Sequence, residues 1–270
     1  MTLDFALHNA VLLGSQATLV GLTGAGIPPW LARYATARWA LVLPLSIAVV
    51  VGAIALLPDV ADVLTWVALI LVPPGAALAL GWAMRGARPA LAVLAVPLLV
   101  LAWGWQTSAV GELAGVAITS LSCVTLGRLL AGGAPGLWLK VGIVAMAIVD
   151  AILIFTENLQ EPNAVLNAAV PAPGLPQLQY ISFGSASLGY GDLFVAGVFG
   201  GVLAAEGARA WRWALVTWVL AEAWTLMFYV TDTIPATVPV AVALILRELL
   251  RAGRAQPDPV GGEVVHGAHP

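Results

Sequence analysis

Thiols and charges are scarce in this chain. Cys123 is the only cysteine in 270 residues, which excludes an intrachain disulfide and any cluster of thiolate metal ligands. Charged side chains make up 9% of the sequence and hydrophobic ones 61%, with a mean hydropathy of +0.97. No soluble core needs that much apolar sequence, so the composition is that of a polytopic membrane protein. The opening Met1-Thr2-Leu3-Asp4-Phe5 lacks the basic residues of a signal peptide, so the first apolar stretch reads as a retained span. No internal repeat and no soluble domain is discernible. The net charge of -3 decides nothing, because in a membrane protein the placement of charges outweighs their sum.

Nine apolar stretches emerge in order, at about 5–26, 39–57, 63–83, 90–108, 113–131, 138–156, 180–204, 211–231 and 235–250. Turn chemistry separates them at Pro28-Pro29, Pro58-Asp59, Arg85-Gly86, Gly132-Gly133 and between Pro171 and Pro176. Prolines within spans (Pro44, Pro73-Pro74, Pro97) are tolerable where neighbouring helices satisfy the freed backbone groups. The expected fold is all-α, one transmembrane domain over 1–252 followed by a disordered tail from Gly253 to Pro270. His266 and His269 in that polar tail read as solvated rather than metal-binding.

The 11 Lys and Arg residues obey a strict alternation. Arg33 and Arg38, Arg85 and Arg88, Arg128 and Lys140, Arg209 and Arg212, and Arg247, Arg251 and Arg254 follow spans one, three, five, seven and nine. The connections between these carry acids instead: Asp59, Asp62, Glu112, Glu157, Glu161 and Asp232. By the positive-inside rule the basic side is cytoplasmic, which puts the amino terminus outside and the carboxyl terminus inside. The connection at about 156–179 is the longest, and reads as slack between helices or as a gate beside a site.

Two aspartates lie deep in spans, Asp150 in the sixth and Asp192 in the seventh. A charged side chain at the bilayer centre costs at least about 2.5 kcal/mol to insert, so each marks a functional site by default. Consecutive spans run antiparallel, which allows both carboxylates to occupy one layer, with Asp192 near the middle of its span. Two carboxylates in a dry site share one proton. One then acts as base toward water while the other protonates a scissile carbonyl. Gly189 and Gly191 clear space beside Asp192, and Gly197 and Gly201 form a face for close helix packing; ordinary packing also uses such glycines. Glu222, mid-span between Trp218 and Trp224, reads as a hydrogen-bonded acid of the bundle or a tuner of the pair. Asp232 reads as a cap for span nine.

Gly189-Tyr190-Gly191-Asp192 resembles the GxGD motif of intramembrane aspartyl proteases, and Leu193-Phe194-Val195-Ala196-Gly197 continues the presenilin and signal peptide peptidase pattern. Asp150 matches the aspartate of that family's YD motif, with Val149 at the tyrosine position. Pro235-Ala236-Thr237 is similar to the PAL motif, with Thr237 at the leucine position. The resemblance covers about 138–250 and also fits the family's nine-span layout.

It implies Asp150 and Asp192 as the catalytic pair, with Gly189, Tyr190, Gly191, Pro235, Ala236 and Thr237 shaping the substrate site. It further implies membrane-spanning helical peptides as substrates, in the cell membrane. The amino-out orientation deduced from the basic residues looks like that of signal peptide peptidase and is opposite to that of presenilin, which implies substrates whose amino end faces the cytoplasm. The loop before span seven, especially Leu175 to Ile181, is expected to pair with unwound substrate as an extended strand. No cofactor, metal or nucleic-acid partner is expected. Three other readings remain open on the sequence. A prepilin-type peptidase shares GxGD, but Leu193 and Phe194 stand where a lysine commonly follows. A proton-coupled transporter would use the aspartates as a relay, and a catalytically silent helix chaperone would keep the motifs without turnover.

Overall fold

The fold is mostly helical, in a computed structural model that describes residues 2–255. The first helix, α1 (Leu3–Leu22), is capped by Thr2, whose hydroxyl accepts from the Phe5 amide. A short α2 (Pro29–Ala32) and a 3-10 turn lead into α3 (Val42–Leu56). The next helix, α4 (Val60–Leu78), ends in a π turn over Ala79–Ala83, and a further 3-10 turn, Pro89–Leu94, opens α5 (Ala95–Gly104). Then come α6 (Ala109–Gly133), α7 (Gly136–Phe155) and a short α8 (Gln160–Ala168). A hairpin of β1 (Tyr180–Phe183) and β2 (Ala186–Gly189) precedes α9 (Tyr190–Ala205), α10 (Ala210–Trp224) and α11 (Val238–Ala255).

Among the described residues, five helices are long and apolar enough to cross a membrane. They are Leu3–Leu22, Ala37–Leu56, Val60–Ala83, Ala109–Gly133 and Gly136–Phe155; Pro89–Gly104 and Tyr190–Ala205 are apolar but shorter. The tail expected from Gly253 is helical as far as Ala255, and 256–270, with His266 and His269, lies outside the described residues.

The centre of the molecule is the pair α6 and α9. Every residue from Leu193 to Leu203 is buried, and α6 is flanked by α1, α4, α5 and α9. Glycine makes the approach possible. A Cβ on Gly197 would sit 2.5 Å from the Cys123 carbonyl oxygen, and one on Gly201 would sit 3.0 Å from that of Gly127. On its other side α9 lies against α1, where a Cβ on Gly200 would meet the Leu19 and Val20 carbonyl oxygens at 2.8 Å. The double proline of α4 leaves that helix continuous, and the Thr125 hydroxyl of α6 donates to the Gly75 carbonyl at 2.7 Å.

One end of the bundle is stitched by its cations. Arg85 donates to the Thr23 carbonyl, Arg128 to that of Gly26, and the Arg128 guanidinium lies 4.0 Å from the centre of the Trp82 ring. Nearby helix ends meet in an ion cluster: Lys140 contacts Glu206 at 2.8 Å and Glu248 at 2.9 Å, and Arg247 contacts both acids at 2.5 Å. The cluster joins the start of α7, the end of α9 and the second half of α11.

Two sequence expectations need correction. The apolar run from 180 to 204 is not one span, because its first ten residues fold into the hairpin. Its two-residue loop is Gly184-Ser185, with Gly184 at φ +55°, and Tyr180 pairs with Gly189. A glycine that reaches positive φ between two apolar tetrapeptides favours a turn over a continuing helix. The connection 156–179 is not slack either. It holds α8, whose end is tied back by Gln177 and Gln179, both donating to the Ala169 carbonyl.

Candidate active site

Removing the first ten residues from the seventh span moves Asp192 from its middle to the first turn of α9. Gly189 is the residue at the helix start, with extended backbone, and Asp192 stands three positions later, where a side chain folds back toward the cap. A Cβ on Gly189 would lie 3.1 Å from Asp192 Oδ2, so glycine there leaves room for the carboxylate. Tyr190 turns toward α6, where its hydroxyl hydrogen-bonds Ser122 at 2.9 Å. Gly191 faces α7, and a Cβ there would meet Met146 at 3.4 Å.

Asp150 is buried on α7, with Met146 and Ile154 one turn to either side on the same face. Its Oδ2 accepts a 2.6 Å hydrogen bond from the Thr237 hydroxyl. The Pro235-Ala236-Thr237 segment does not open α11, which begins at Val238. It is a non-helical approach whose last residue reaches the aspartate. Pro235 has no amide hydrogen to donate to a helical ladder, which suits a segment that must stay out of one.

Both carboxylates line one cavity of about 1170 Å³. Its lining comes from α3, α4, α6, α7 and α8, together with Gly189, Gly191, Asp192, Ala236 and Thr237. Much of the remaining lining is apolar, with Val50 and Val51 on α3 and Val67 and Leu71 on α4, while Gln160, Asn163 and Asn167 of α8 add polar side chains. Gln179, Tyr180, Ser187 and Leu188 bring the hairpin to the cavity as well. Such a volume exceeds that of most small-molecule pockets and has the form of an open groove.

The structure thus brings together Asp150, Asp192, Gly189, Tyr190, Gly191, Ala236 and Thr237, while Pro235 stands beside the cavity without lining it. Asp232, expected as a cap, lies on the rim of the cavity several residues before α11. Glu222 does not reach the cavity: it belongs to α10, which packs on α1 and α11. Leu178, expected on an extended strand, is buried among Val72, Ala76, Leu80, Ala95 and Ile118, and the strand begins two residues later.

Sequence reasoning missed three groups of residues. Gln16 of α1 is fully buried and donates to the backbone carbonyls of both Asp192 and Ala236. His8 accepts from the Ser185 amide at 3.3 Å, and Glu112 accepts from the Gly184 amide at 2.8 Å, so two helices hold the hairpin tip. Gln177 and Gln179 fasten α8. Amides inside apolar helices and loops were the available signal, since each must find partners away from water. No protein-family model, curated protein or solved structure matches the chain.

Proposed function

We propose that this chain is an intramembrane aspartic endopeptidase of the presenilin and signal peptide peptidase type, with Asp150 and Asp192 as its catalytic pair. The observation that carries this reading is that two carboxylates from separate helices line one largely apolar cavity. The Thr237 contact supports it, because it places the Pro-Ala-Thr segment on the reacting group.

One aspartate takes a proton from water as the oxygen bonds the scissile carbonyl carbon, and the other gives a proton to the carbonyl oxygen. The resulting diol collapses as one aspartic acid protonates the amide nitrogen and the other aspartate takes a proton from a diol hydroxyl. The carbon–nitrogen bond breaks to give a carboxylic acid and an amine, and the pair again holds one proton. The groove's apolar length fits a membrane-spanning peptide. Exposing a peptide bond in lipid leaves backbone groups unpaired at several kcal/mol each, and β2, which has one partner strand, offers its other edge as replacement. In this proposal the chain crosses the cell membrane nine times, the seventh time through α9 without the hairpin, with the amino terminus outside and the basic end cytoplasmic.

The test is incubation of the purified protein with a panel of single-span helical substrates, with products read by mass spectrometry. Cleavage by the wild type is expected, with near-complete loss in Asp150→Asn and Asp192→Asn and little further loss in the double variant. Robust cleavage by either single variant sinks the assignment.

A further inference from the structure

Gln16 is an anomaly in α1. Leu12, Leu13, Leu19 and Val20 around it are buried apolar side chains, while Gln16 is a fully buried amide. Its Nε2 lies 3.1 Å from the carbonyl oxygen of Asp192 and 3.0 Å from that of Ala236. Two carbonyl acceptors fix the amide's orientation, because the flipped form would set oxygen against oxygen. Its Oε1 has no partner among the described residues, a cost that an apolar residue would not carry.

Both contacts fall on the backbone that carries the site residues. One acceptor is the backbone of Asp192 itself, and the other belongs to the peptide unit that leads into Thr237. Thr237 in turn donates to Asp150. A continuous path therefore runs from Asp192 through Gln16, Ala236 and Thr237 to Asp150, and it joins α9, α1, the segment before α11, and α7. The base of the path is rigid, because Gly200 lets α1 and α9 touch backbone to backbone.

We infer, resting on the proteolytic reading, that Gln16 is a positioning residue that sets the two carboxylates in register across three elements. It touches no reacting atom. Its loss leaves the groove and both aspartates in place while their mutual alignment becomes loose. Substrate binding survives and turnover falls.

The experiment compares wild type, Gln16→Met, Gln16→Asn and Thr237→Val, each alone and with Thr237→Val added to Gln16→Met. Methionine keeps the length and removes both donors; asparagine is shorter and reaches one carbonyl at most, and it serves if the methionine variant does not fold. The inference expects kcat to fall about ten-fold or more with KM within about two-fold, and the double variant to lose less than the product of the two singles. Independently of activity, hydrogen exchange over 186–196 and 232–241 should quicken about ten-fold while 60–83 stays as in wild type. Unchanged exchange in those two segments overturns the inference, as does multiplicative loss in the double variant. Quickened exchange in a protein that cleaves no substrate refutes the proteolytic reading and leaves the staple standing.

Discussion

At the scale of single residues, Thr237 is the most consequential departure from the motif it resembles. A leucine there would offer no donor, whereas the threonine hydroxyl holds Asp150 Oδ2 at 2.6 Å. A hydrogen bond to a charged group is worth about 1.5–3 kcal/mol, and each 1.4 kcal/mol is about ten-fold in rate. Thr237→Val is therefore expected to cut kcat by about ten- to a hundred-fold, and Thr237→Ser, which keeps the hydroxyl, by a few-fold. A kinetic comparison of the two variants checks this, and equal losses would remove the hydroxyl from the account. The aspartates were legible in the sequence because a lone acid in an apolar run is conspicuous. The Thr237 contact was not, since it depends on how a segment 87 positions along the chain folds back.

At the scale of elements, hydropathy located the helices and missed what interrupts them. Ile181, Phe183 and Leu188 continue the apolar run into α9, so a window average saw one span where the backbone makes a hairpin. The turn was written in Gly184-Ser185 between Tyr180–Phe183 and Ala186–Gly189, a signal of shorter range than the window. The contact between α6 and α9 was legible in Gly197 and Gly201 as a packing face, without its partner. That contact yields a stability prediction. Gly197→Ala places a methyl carbon 2.5 Å from the Cys123 carbonyl, an overpacking worth about 1–3 kcal/mol of destabilisation. Gly115→Ala, on α6 with nothing within 4 Å, is expected to be neutral or stabilising by up to about 1 kcal/mol. Unfolding of both variants in detergent measures the contrast.

At the scale of the whole molecule, the charged end behaves as a clasp on α7 and α9, which carry the aspartates, and on α11, which follows the Pro-Ala-Thr segment. Burial pushes the Glu206 carboxyl up, but its contacts with Lys140 and Arg247 outweigh that and hold it below its ordinary range. A carboxyl depressed in the folded state adds stability above its unfolded pKa and loses it as pH falls through the folded value. Thermal stability is therefore expected to decline on the acid side of the ordinary carboxylate range, and Glu206→Gln should flatten that decline. Melting curves from neutral to acid pH decide the point, and an unchanged slope in the variant would show the clasp to be idle.

The hairpin has a further consequence, in the dimension of thickness. With 16 residues, α9 rises only about 24 Å, against a hydrocarbon layer of about 30 Å. Its residues from Leu193 to Leu203 are all buried, so other helices rather than lipid flank it and the shortfall falls inside the protein. In the proposed membrane arrangement the first turn of α9, and Asp192 with it, then lies nearer one face of the layer, beside the hairpin. A substrate helix cut to the ordinary thickness arrives too long for that depth. It has to tilt or fray at one end to stay matched, at a cost of fractions of a kcal/mol per Å. Lipid chain length thereby becomes a handle on turnover. In vesicles of longer acyl chains, the cleavage rate for one substrate is expected to shift with chain length. Matched vesicles differing only in that length would measure it, and a rate indifferent to thickness would remove substrate mismatch from the account.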